Sequence, residues 1–152
     1  DFGCGFGDLA TYIRNQGVAN YKYIGLDISE SFIAYSKIMH EQYPNHIFIY
    51  GSLEKIMRLK VDYIIISGAF SLNIPGMKKY AFRTLEKAFS VSNKGVACNF
   101  LSKNCDYQQS KDIHYSPFET YSAISKFAKF INVYQTYGLY EFTVQILKGR
   151  SW

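Results

Sequence analysis

The chain has 152 residues, 48% of them hydrophobic and 19% charged, and a formal net charge of +5 at pH 7. This composition is that of a globular protein and excludes a disordered or fibrous one, so we assign residues 1–152 to a single domain. Three cysteines, an odd number without a Cys-x-x-Cys pair, support neither a disulfide framework nor a zinc finger and favour the reducing cytoplasm. No apolar run approaches the roughly 20 residues that span a bilayer.

Short runs of apolar and β-branched residues alternate with segments of helical period, a pattern that predicts a mostly parallel sheet covered by helices. The predicted strands are a stub at residues 1–2 and the runs 23–27, 47–50, 61–66, 96–101, 131–137 and 142–147. The last two runs lie close together and predict an antiparallel hairpin. We therefore expect a seven-stranded α/β fold. Because the chain opens on a glycine-rich turn, we also expect the start of the first strand, and anything upstream of it, to be missing.

The helices predicted between these strands begin at or near Asp8, Ser29, Gly76 and Pro117. Apolar residues at helical spacing define the inner face that each helix turns to the sheet. These faces are expected to carry Leu9, Tyr12 and Ile13 in the first helix, Phe32, Ser36, Met39 and Tyr43 in the second, Met77, Tyr80, Ala81, Leu85 and Phe89 in the third, and Tyr121, Ile124, Phe127 and Ala128 in the fourth.

The strongest functional signal is the run Gly3-Cys-Gly5-Phe-Gly7 after the strand stub, followed by Asp27 at the end of the next strand. Alternating glycines let the backbone turn sharply and approach a ligand closely. A carboxylate about twenty residues further on accepts both hydrogen bonds of a ribose diol. A dinucleotide-binding turn has a third glycine or alanine where this chain has Asp8, and a fixed negative charge is unfavourable beside a pyrophosphate.

This arrangement resembles motif I and the following acidic position of the class I S-adenosylmethionine-dependent methyltransferases, whose ligand carries a sulfonium cation and no phosphate. The resemblance covers essentially the whole chain, including residues 23–29, 48–53, 61–70 and 137–143. It implies a doubly wound, Rossmann-like, mostly parallel sheet with the strand order 3-2-1-4-5-7-6. It also implies that S-adenosylmethionine binds at the carboxyl edge of the strands and that its methyl group passes to a small-molecule acceptor.

The resemblance assigns the glycine turn and the end of the next strand to two parts of the cofactor. Asp1, Gly3, Cys4 and Gly5 are implied to line its methionyl end, and Asp27 to bind its ribose hydroxyls. For Cys4, a role as a small packing residue is favoured over that of a catalytic thiolate, because no positioned base accompanies it.

The resemblance assigns the remaining cofactor contacts to three later segments. Ile28 and Leu53 are implied to sandwich the adenine, and Ser52 stands where the family usually has an acidic residue that binds the adenine amino group. Ser67 and Gly68 match the motif that approaches the amino-acid end of the cofactor and faces the acceptor.

Methyl transfer from a sulfonium is an in-line displacement with an activated leaving group, so the protein supplies mainly alignment and exclusion of water. A general base is needed only when the acceptor must lose a proton, as a hydroxyl or an acidic carbon must. His114 and Tyr115, in the segment before the last helix, are the catalytic candidates. His40 and His46 flank the turn at Pro44 and are expected at the surface. No metal-ligand constellation is present, so no metal site is expected.

Three alternatives stay open. Lys79, Arg83 and Lys87 recur at four-residue steps and would suit an RNA methyltransferase if this basic face met the ligand cleft, although a solvated outer face is the commoner explanation. A non-catalytic module would bind S-adenosylmethionine without an acceptor pocket beside Ser67 and Gly68. A nicotinamide oxidoreductase is the third.

Overall fold

The structure is a computed structural model that describes residues 1–149. Its contacts divide the chain into two compact units, Asp1–Arg58 and Leu59–Trp152, and each unit is described by itself. The assignment of residues 1–152 to one domain stays a prediction.

The first unit contains two helices and two parallel strands. Its elements are α1 (Asp8–Asn15), β1 (Tyr23–Asp27), α2 (Glu30–Met39), β2 (His46–Tyr50) and a short 3₁₀ turn at Leu53–Ile56. Strands β1 and β2 pair in parallel from Tyr23 opposite His46 to Asp27 opposite Tyr50. Phe2 forms a parallel bridge with Leu26 on the other side of β1. The predicted stub therefore lies beside β1, and the pairing within this unit follows the 3-2-1 part of the predicted order.

The core of the first unit lies between the sheet and the inner faces of its helices. Cys4, Ala10, Tyr23, Ile33 and Phe48 form one buried cluster, with Leu9 and Ile13 packed against it. The predicted face of α1 is correct for Leu9 and Ile13 and wrong for Tyr12, which is exposed.

The predicted inner face of α2 is rotated by about one residue from the true one. Ile33 and Ser36 are the buried residues of this helix, whereas Phe32 and Met39 are exposed. The Ser36 hydroxyl donates to the Phe32 carbonyl and also lies 3.0 Å from the Gly5 carbonyl oxygen. A small polar residue is therefore buried where the helix meets the glycine turn, and apolar periodicity alone does not detect it.

The second unit contains a four-stranded mixed sheet and two helices. Its elements are β3 (Val61–Ile66), α3 (Met77–Val91), β4 (Ser92–Leu101), α4 (Pro117–Ile124), β5 (Phe130–Tyr134) and β6 (Glu141–Leu147). The strand order is β3-β4-β6-β5. Strand β3 pairs with β4 in parallel, and β6 is antiparallel to both β4 and β5. This order is the 4-5-7-6 part of the prediction, and the hairpin is confirmed, with its first strand ending at Tyr134 instead of residue 137.

One face of the β4–β6 pair in this sheet is buried. Alternate residues of β4 and β6 point into the core, as expected for strands with a two-residue side-chain period. They are Val96, Cys98 and Phe100 in β4 and Phe142, Val144 and Ile146 in β6. The buried residues of helix α3 are Met77, Ala81, Thr84, Leu85 and Ala88. Tyr80 is 47% exposed, so the prediction that it faces inward is wrong.

The start of α4 follows its sequence signals. Proline occupies the first turn, and the Ser116 side chain accepts a hydrogen bond from the Glu119 backbone N–H. Ile124 and Ala128 are buried as predicted, whereas Tyr121 is exposed. The helix ends at Ile124, so Phe127 and Ala128, which were predicted on its inner face, lie beyond it.

The complete order of seven strands stays a prediction, because the pairing is described within each unit. Among residues 1–149 no helix has the length and apolar character needed to cross a bilayer.

Gly25 provides a test of the packing inside the first unit. A Cβ at this position would lie 2.7 Å from Cδ1 of Phe48 and 2.9 Å from the Sγ of Cys4. We expect Gly25→Ala to lower the free energy of unfolding by roughly 1–3 kcal/mol, because both neighbours are buried and overpacking forces them to shift. Urea unfolding measures the effect. Gly138→Ala is the control, since nothing lies within 4 Å of its Cβ position; equal losses of stability in the two variants would contradict the expectation.

Candidate functional site

The glycine turn is held against the end of β1 by backbone hydrogen bonds. Gly3, Gly5 and Gly7 have φ angles of 76°, 52° and 84°, a region that side chains other than glycine rarely adopt. The N–H groups of Gly3 and Cys4 both donate to the Leu26 carbonyl, at 2.7 and 3.1 Å. The alternating glycines are therefore required by the shape of the turn itself.

Gly5 and Gly7 differ in their surroundings. A Cβ on Gly7 would lie 2.9 Å from the Nε2 of His40 and from the Phe48 ring, so Gly7 is needed for packing. A Cβ on Gly5 would meet nothing within 4 Å. The open space beside Gly5 lets a ligand approach its backbone closely.

The Asp27 carboxylate is held by one backbone N–H on each oxygen. Gly5 donates to Oδ2 at 2.9 Å, and Ser29 donates to Oδ1 at 2.8 Å. The residue is 9% exposed, so its orientation is set by these bonds and by its surroundings. A carboxylate oxygen accepts two hydrogen bonds, and each oxygen retains an acceptor position after these contacts. The arrangement suits a ligand that presents two adjacent hydroxyl groups.

The residues predicted to meet the adenine follow the ends of both strands of the first unit, Ile28 after β1 and Ser52 and Leu53 after β2. Ile28 is 73% exposed, whereas Leu53 is buried at the start of the 3₁₀ turn. The Ser52 hydroxyl donates to the Glu54 carboxylate. Sequence reasoning missed Glu54 because it looked for an acidic residue only at the position that Ser52 occupies. The structure thus places a carboxylate beside this serine.

Asp1 and Cys4 both lie at the start of the turn. The Tyr23 hydroxyl donates to the Asp1 carboxylate at 2.5 Å. Burial, followed by the nearby Asp27 carboxylate, raises the pKa of the Cys4 thiol to about 11. Cys4 is therefore a neutral, buried thiol, which agrees with a packing role.

His40 and His46 are buried, so the prediction that they lie at the surface is wrong. They are 5% and 9% exposed, and their Nδ1 atoms lie 3.0 Å apart in a hydrogen bond. The Nε2 of His46 lies 2.8 Å from the Tyr21 hydroxyl, and the His40 ring hydrogen-bonds the Phe6 backbone carbonyl.

These contacts define one set of tautomers. The Phe6 carbonyl requires a donor, so the second ring nitrogen of His40 carries its proton and its Nδ1 accepts. His46 then donates from Nδ1, and its Nε2 accepts from the Tyr21 hydroxyl. Both imidazoles are neutral in this arrangement. The signal in the sequence is the spacing of Ile33, Ser36 and His40, which continues the buried face of α2.

Ser67 and Gly68 follow β3 in the second unit, and both are exposed. The Gly68 N–H donates to Oδ1 of Asn99 at 2.8 Å, and the Gly68 carbonyl accepts from the Ser71 hydroxyl. The Asn99 amide in turn donates to Oε2 of Glu141 at 2.8 Å. Sequence reasoning missed Asn99 and Glu141, because their pairing depends on the register between β4 and β6.

The two predicted catalytic residues have different environments. His114 is half-buried. Tyr115 is 2% exposed, and its hydroxyl donates to the Phe70 carbonyl at 3.0 Å. Burial raises the pKa of Tyr115 to about 12, which opposes formation of a phenolate. The catalytic roles of both residues stay predictions. Among residues 1–149 no cluster of three side chains suited to holding a metal ion is found.

The histidine pair predicts how stability depends on pH. Burial lowers the pKa values of both histidines. The Arg14 charge lowers the pKa of His40 further, and repulsion from His40 and Arg14 lowers the pKa of His46 further. The unfolded chain binds protons at these residues near pH 6.5, whereas the folded chain does not, so stability is complete above that pH and falls below it. We expect the urea midpoint to decrease from about pH 7 to about pH 5.5.

His40→Asn/His46→Asn is expected to flatten this dependence, and His114→Gln, the matched control, to leave it unchanged. Denaturant titrations at several pH values measure the slope. A wild-type midpoint that is constant over this range would refute the assignment of neutral buried imidazoles.

Residues 1–138 match the methyltransferase domain family. A Mycobacterium tuberculosis protein named as a methyltransferase, Rv1506c, is 27% identical to this chain over 156 residues, which cover 98% of this chain and 92% of that protein. This family excludes the nicotinamide oxidoreductase alternative, and S-adenosylmethionine is the cofactor of its reaction.

Solved structures with the same fold include several methyltransferases. Magnesium protoporphyrin IX methyltransferase of Synechocystis PCC 6803, with bound S-adenosylhomocysteine, has a TM-score of 0.73 at 15% identity, covering 98% of this chain and 73% of that one. An S-adenosylmethionine-dependent methyltransferase from Aquifex aeolicus has a TM-score of 0.62 at 18% identity, with coverages of 97% and 79%. These likenesses establish a Rossmann-like α/β fold. The chain therefore belongs to the methyltransferase domain family, as the resemblance of its glycine turn and Asp27 to class I S-adenosylmethionine-dependent methyltransferases predicts.

Proposed function

We propose that the protein transfers the methyl group of S-adenosylmethionine to a small-molecule acceptor. The observation that carries this proposal is the Asp27 carboxylate, which two backbone N–H groups orient while each oxygen keeps an acceptor position. A ribose presents two adjacent hydroxyl donors, so the chemistry of the site fits the cofactor. When bound, the cofactor supplies a methyl group that is activated by its sulfonium.

The other predicted cofactor residues have roles that agree with this fit. The open space at Gly5 supports close approach of the amino-acid end of the cofactor to the turn, beside Asp1, Gly3 and Cys4. Exposed Ile28 offers an apolar face to the adenine, and Leu53 the opposite one. Ser52, hydrogen-bonded to Glu54, binds the adenine amino group, and Ser67 and Gly68 face the acceptor.

The protein accelerates the reaction chiefly by alignment. Holding the acceptor and the methyl carbon about 3–3.5 Å apart accounts for several kcal/mol of the barrier. The rigid turn and the fixed carboxylate of Asp27 serve this purpose, because they position the ligand without reorganising.

Two observations support a small acceptor. The sequence Ser67-Gly-Ala-Phe70 differs from the Asn/Asp-Pro-Pro-Tyr/Phe signature of the methyltransferases that modify exocyclic amines of bases and the glutamine amide. One neighbour in fold methylates magnesium protoporphyrin IX, a small molecule. The proposal includes the strand order 3-2-1-4-5-7-6, which the pairing within each unit supports. It also includes a cytoplasmic location, which the cysteine content favours.

RNA is the second candidate acceptor. Lys79 and Arg83 are exposed one helical turn apart on α3, and a protein of the Pnkp1/Rnl/Hen1 RNA repair complex shares the fold with a TM-score of 0.77 at 13% identity, covering 97% of this chain and 37% of that one. Phosphate contacts predict an affinity that falls steeply with salt. If RNA is the acceptor, Lys79→Gln/Arg83→Gln lowers the salt slope of RNA binding. Unchanged weak binding from about 50 to 200 mM salt would exclude this candidate.

Calorimetry with S-adenosylhomocysteine tests the cofactor assignment. We expect Asp27→Asn to weaken binding roughly 10- to 100-fold, since a hydrogen bond to a charged group contributes about 1.5–3 kcal/mol. Asp62→Asn is the matched control, because this carboxylate is exposed and pairs with Lys94 at 3.7 Å on the surface.

Two outcomes contradict the assignment. One is a wild-type protein that releases no heat with S-adenosylhomocysteine. The other is an Asp27→Asn variant whose affinity stays within threefold of wild type. Turnover of labelled S-adenosylmethionine with an acceptor then separates an enzyme from a module that only binds the cofactor.

A further inference from the structure

Two polar residues, Ser36 in α2 and His40 at its end, contact the side of the glycine turn that faces this helix. They lie one helical turn apart and are 0% and 5% exposed. The Ser36 hydroxyl lies 3.0 Å from the Gly5 carbonyl oxygen, and the His40 ring hydrogen-bonds the Phe6 carbonyl. Burying a polar side chain is unfavourable unless it is hydrogen-bonded, and an apolar residue at either position would avoid this cost. The polar residues instead provide directional contacts with two successive carbonyl groups of the turn.

The turn needs such contacts because glycine constrains the backbone so little. Gly3, Gly5 and Gly7 have no side chains that could pack and so fix the peptide units between them, and glycine loses more conformational freedom on ordering than any other residue. A loop that is mobile before a ligand binds is ordered at the expense of affinity. A turn that is already fixed in the free protein avoids this loss.

The first link in the turn runs from His40 to the Cys4 carbonyl. His46 bonds the Nδ1 of His40, which leaves Nε2 as the donor to the carbonyl of the peptide unit between Phe6 and Gly7. A trans peptide unit is planar, so a fixed carbonyl also fixes the opposite direction of the N–H. The Gly7 N–H of this unit donates to the Cys4 carbonyl at 2.9 Å.

The second link runs from the Cys4 carbonyl to the Asp27 carboxylate. This carbonyl belongs to the peptide unit between Cys4 and Gly5, whose N–H donates to Oδ2 of Asp27 at 2.9 Å. Ser36 acts on the next peptide unit, because the carbonyl that it contacts is that of Gly5. Three successive peptide units of the turn are therefore held by contacts that all lie within the first unit of the chain.

We propose that Ser36 and His40 are positioning residues for the cofactor, because they hold the glycine turn in the shape that directs the Gly5 N–H to Asp27. This inference rests on the proposed function, in which the open space beside Gly5 receives the amino-acid end of the cofactor and Asp27 binds its ribose. Neither positioning residue has to touch the cofactor. Both act on its affinity, since a turn that must be ordered on binding reduces the free energy gained.

Two variants at position 40 separate this role from a purely structural one. The glutamine amide reaches about as far as Nε2 of histidine, so His40→Gln retains a donor to the Phe6 carbonyl and loses the contact with His46. The asparagine amide reaches about as far as Nδ1, so His40→Asn retains the contact with His46 and loses the donor to Phe6. Because each variant gives up one hydrogen bond, we expect similar losses of stability.

Calorimetry at neutral pH measures the affinity for S-adenosylhomocysteine, and urea titration measures the free energy of unfolding. We expect His40→Asn to weaken binding about 5- to 20-fold and His40→Gln to stay within about twofold of the wild type. A purely structural role predicts similar affinities in the two variants.

Ser36→Ala tests the second positioning residue. We expect it to weaken binding about 3- to 10-fold, because the Gly5 carbonyl loses its contact with the hydroxyl. Ser90→Ala is the matched control and should leave the affinity unchanged. The Ser90 hydroxyl also donates to a carbonyl of its own helix, that of Lys87 at 2.7 Å, but Ser90 is exposed and lies in the second unit.

Amide hydrogen exchange gives a local readout of the turn. The Gly5 N–H should exchange faster in His40→Asn and Ser36→Ala and at the wild-type rate in His40→Gln. The Ile33 N–H, which donates to the Ser29 carbonyl in α2, serves as the reference. A general loss of stability accelerates the exchange of both amides, whereas loosening of the turn accelerates that of Gly5 alone.

Two outcomes overturn the inference: affinities of His40→Asn and His40→Gln that agree within about threefold, or a Ser36→Ala affinity equal to that of Ser90→Ala. If neither variant at position 40 folds, the affinity of Ser36→Ala and the exchange of its Gly5 N–H decide the question. In each of these cases, binding of S-adenosylhomocysteine by the wild type leaves the proposed function standing. Absence of that binding refutes the proposed function, and this inference with it.

Discussion

The first unit depends on how its backbone surrounds the Asp27 carboxylate. Gly5 of the turn and Ser29 at the start of α2 each donate to one oxygen, while Gly51, after β2, donates to the Asp27 carbonyl at 2.8 Å. One residue thus joins the turn, the helix start and the end of the neighbouring strand. The N–H groups that hold the charge are present in the folded chain before any ligand arrives, which is the arrangement expected of a preorganised site.

The glycines of the turn show that one sequence motif combines two physical requirements. Gly7 is needed because His40 and Phe48 leave no room for a side chain, whereas the space beside Gly5 is open and only its backbone conformation favours glycine. Both also have positive φ angles. Substitutions at the two positions therefore act differently: at Gly7 they disturb the core, and at Gly5 they fill the open space in which we propose that the cofactor binds.

Local sequence signals predicted the elements that depend on neighbouring residues, such as β1, β3 and the proline at the start of α4. They failed where burial depends on partners distant in the chain. His46 is buried because Tyr21 and His40 satisfy its ring nitrogens, and Asn99 meets Glu141 only through the register of β4 with β6. Apolar periodicity also overlooks polar residues with buried partners, as Ser36 and His40 in α2 demonstrate.

The buried histidines have a directional consequence. From the Tyr21 hydroxyl through His46 and His40 to the Phe6 carbonyl, every donor points the same way. The donors and acceptors of such a hydrogen-bond chain can exchange roles only together. This exchange is prevented at the Phe6 carbonyl, because a carbonyl can accept a hydrogen bond but cannot donate one. The ring nitrogens should consequently give a single, asymmetric set of ¹⁵N resonances.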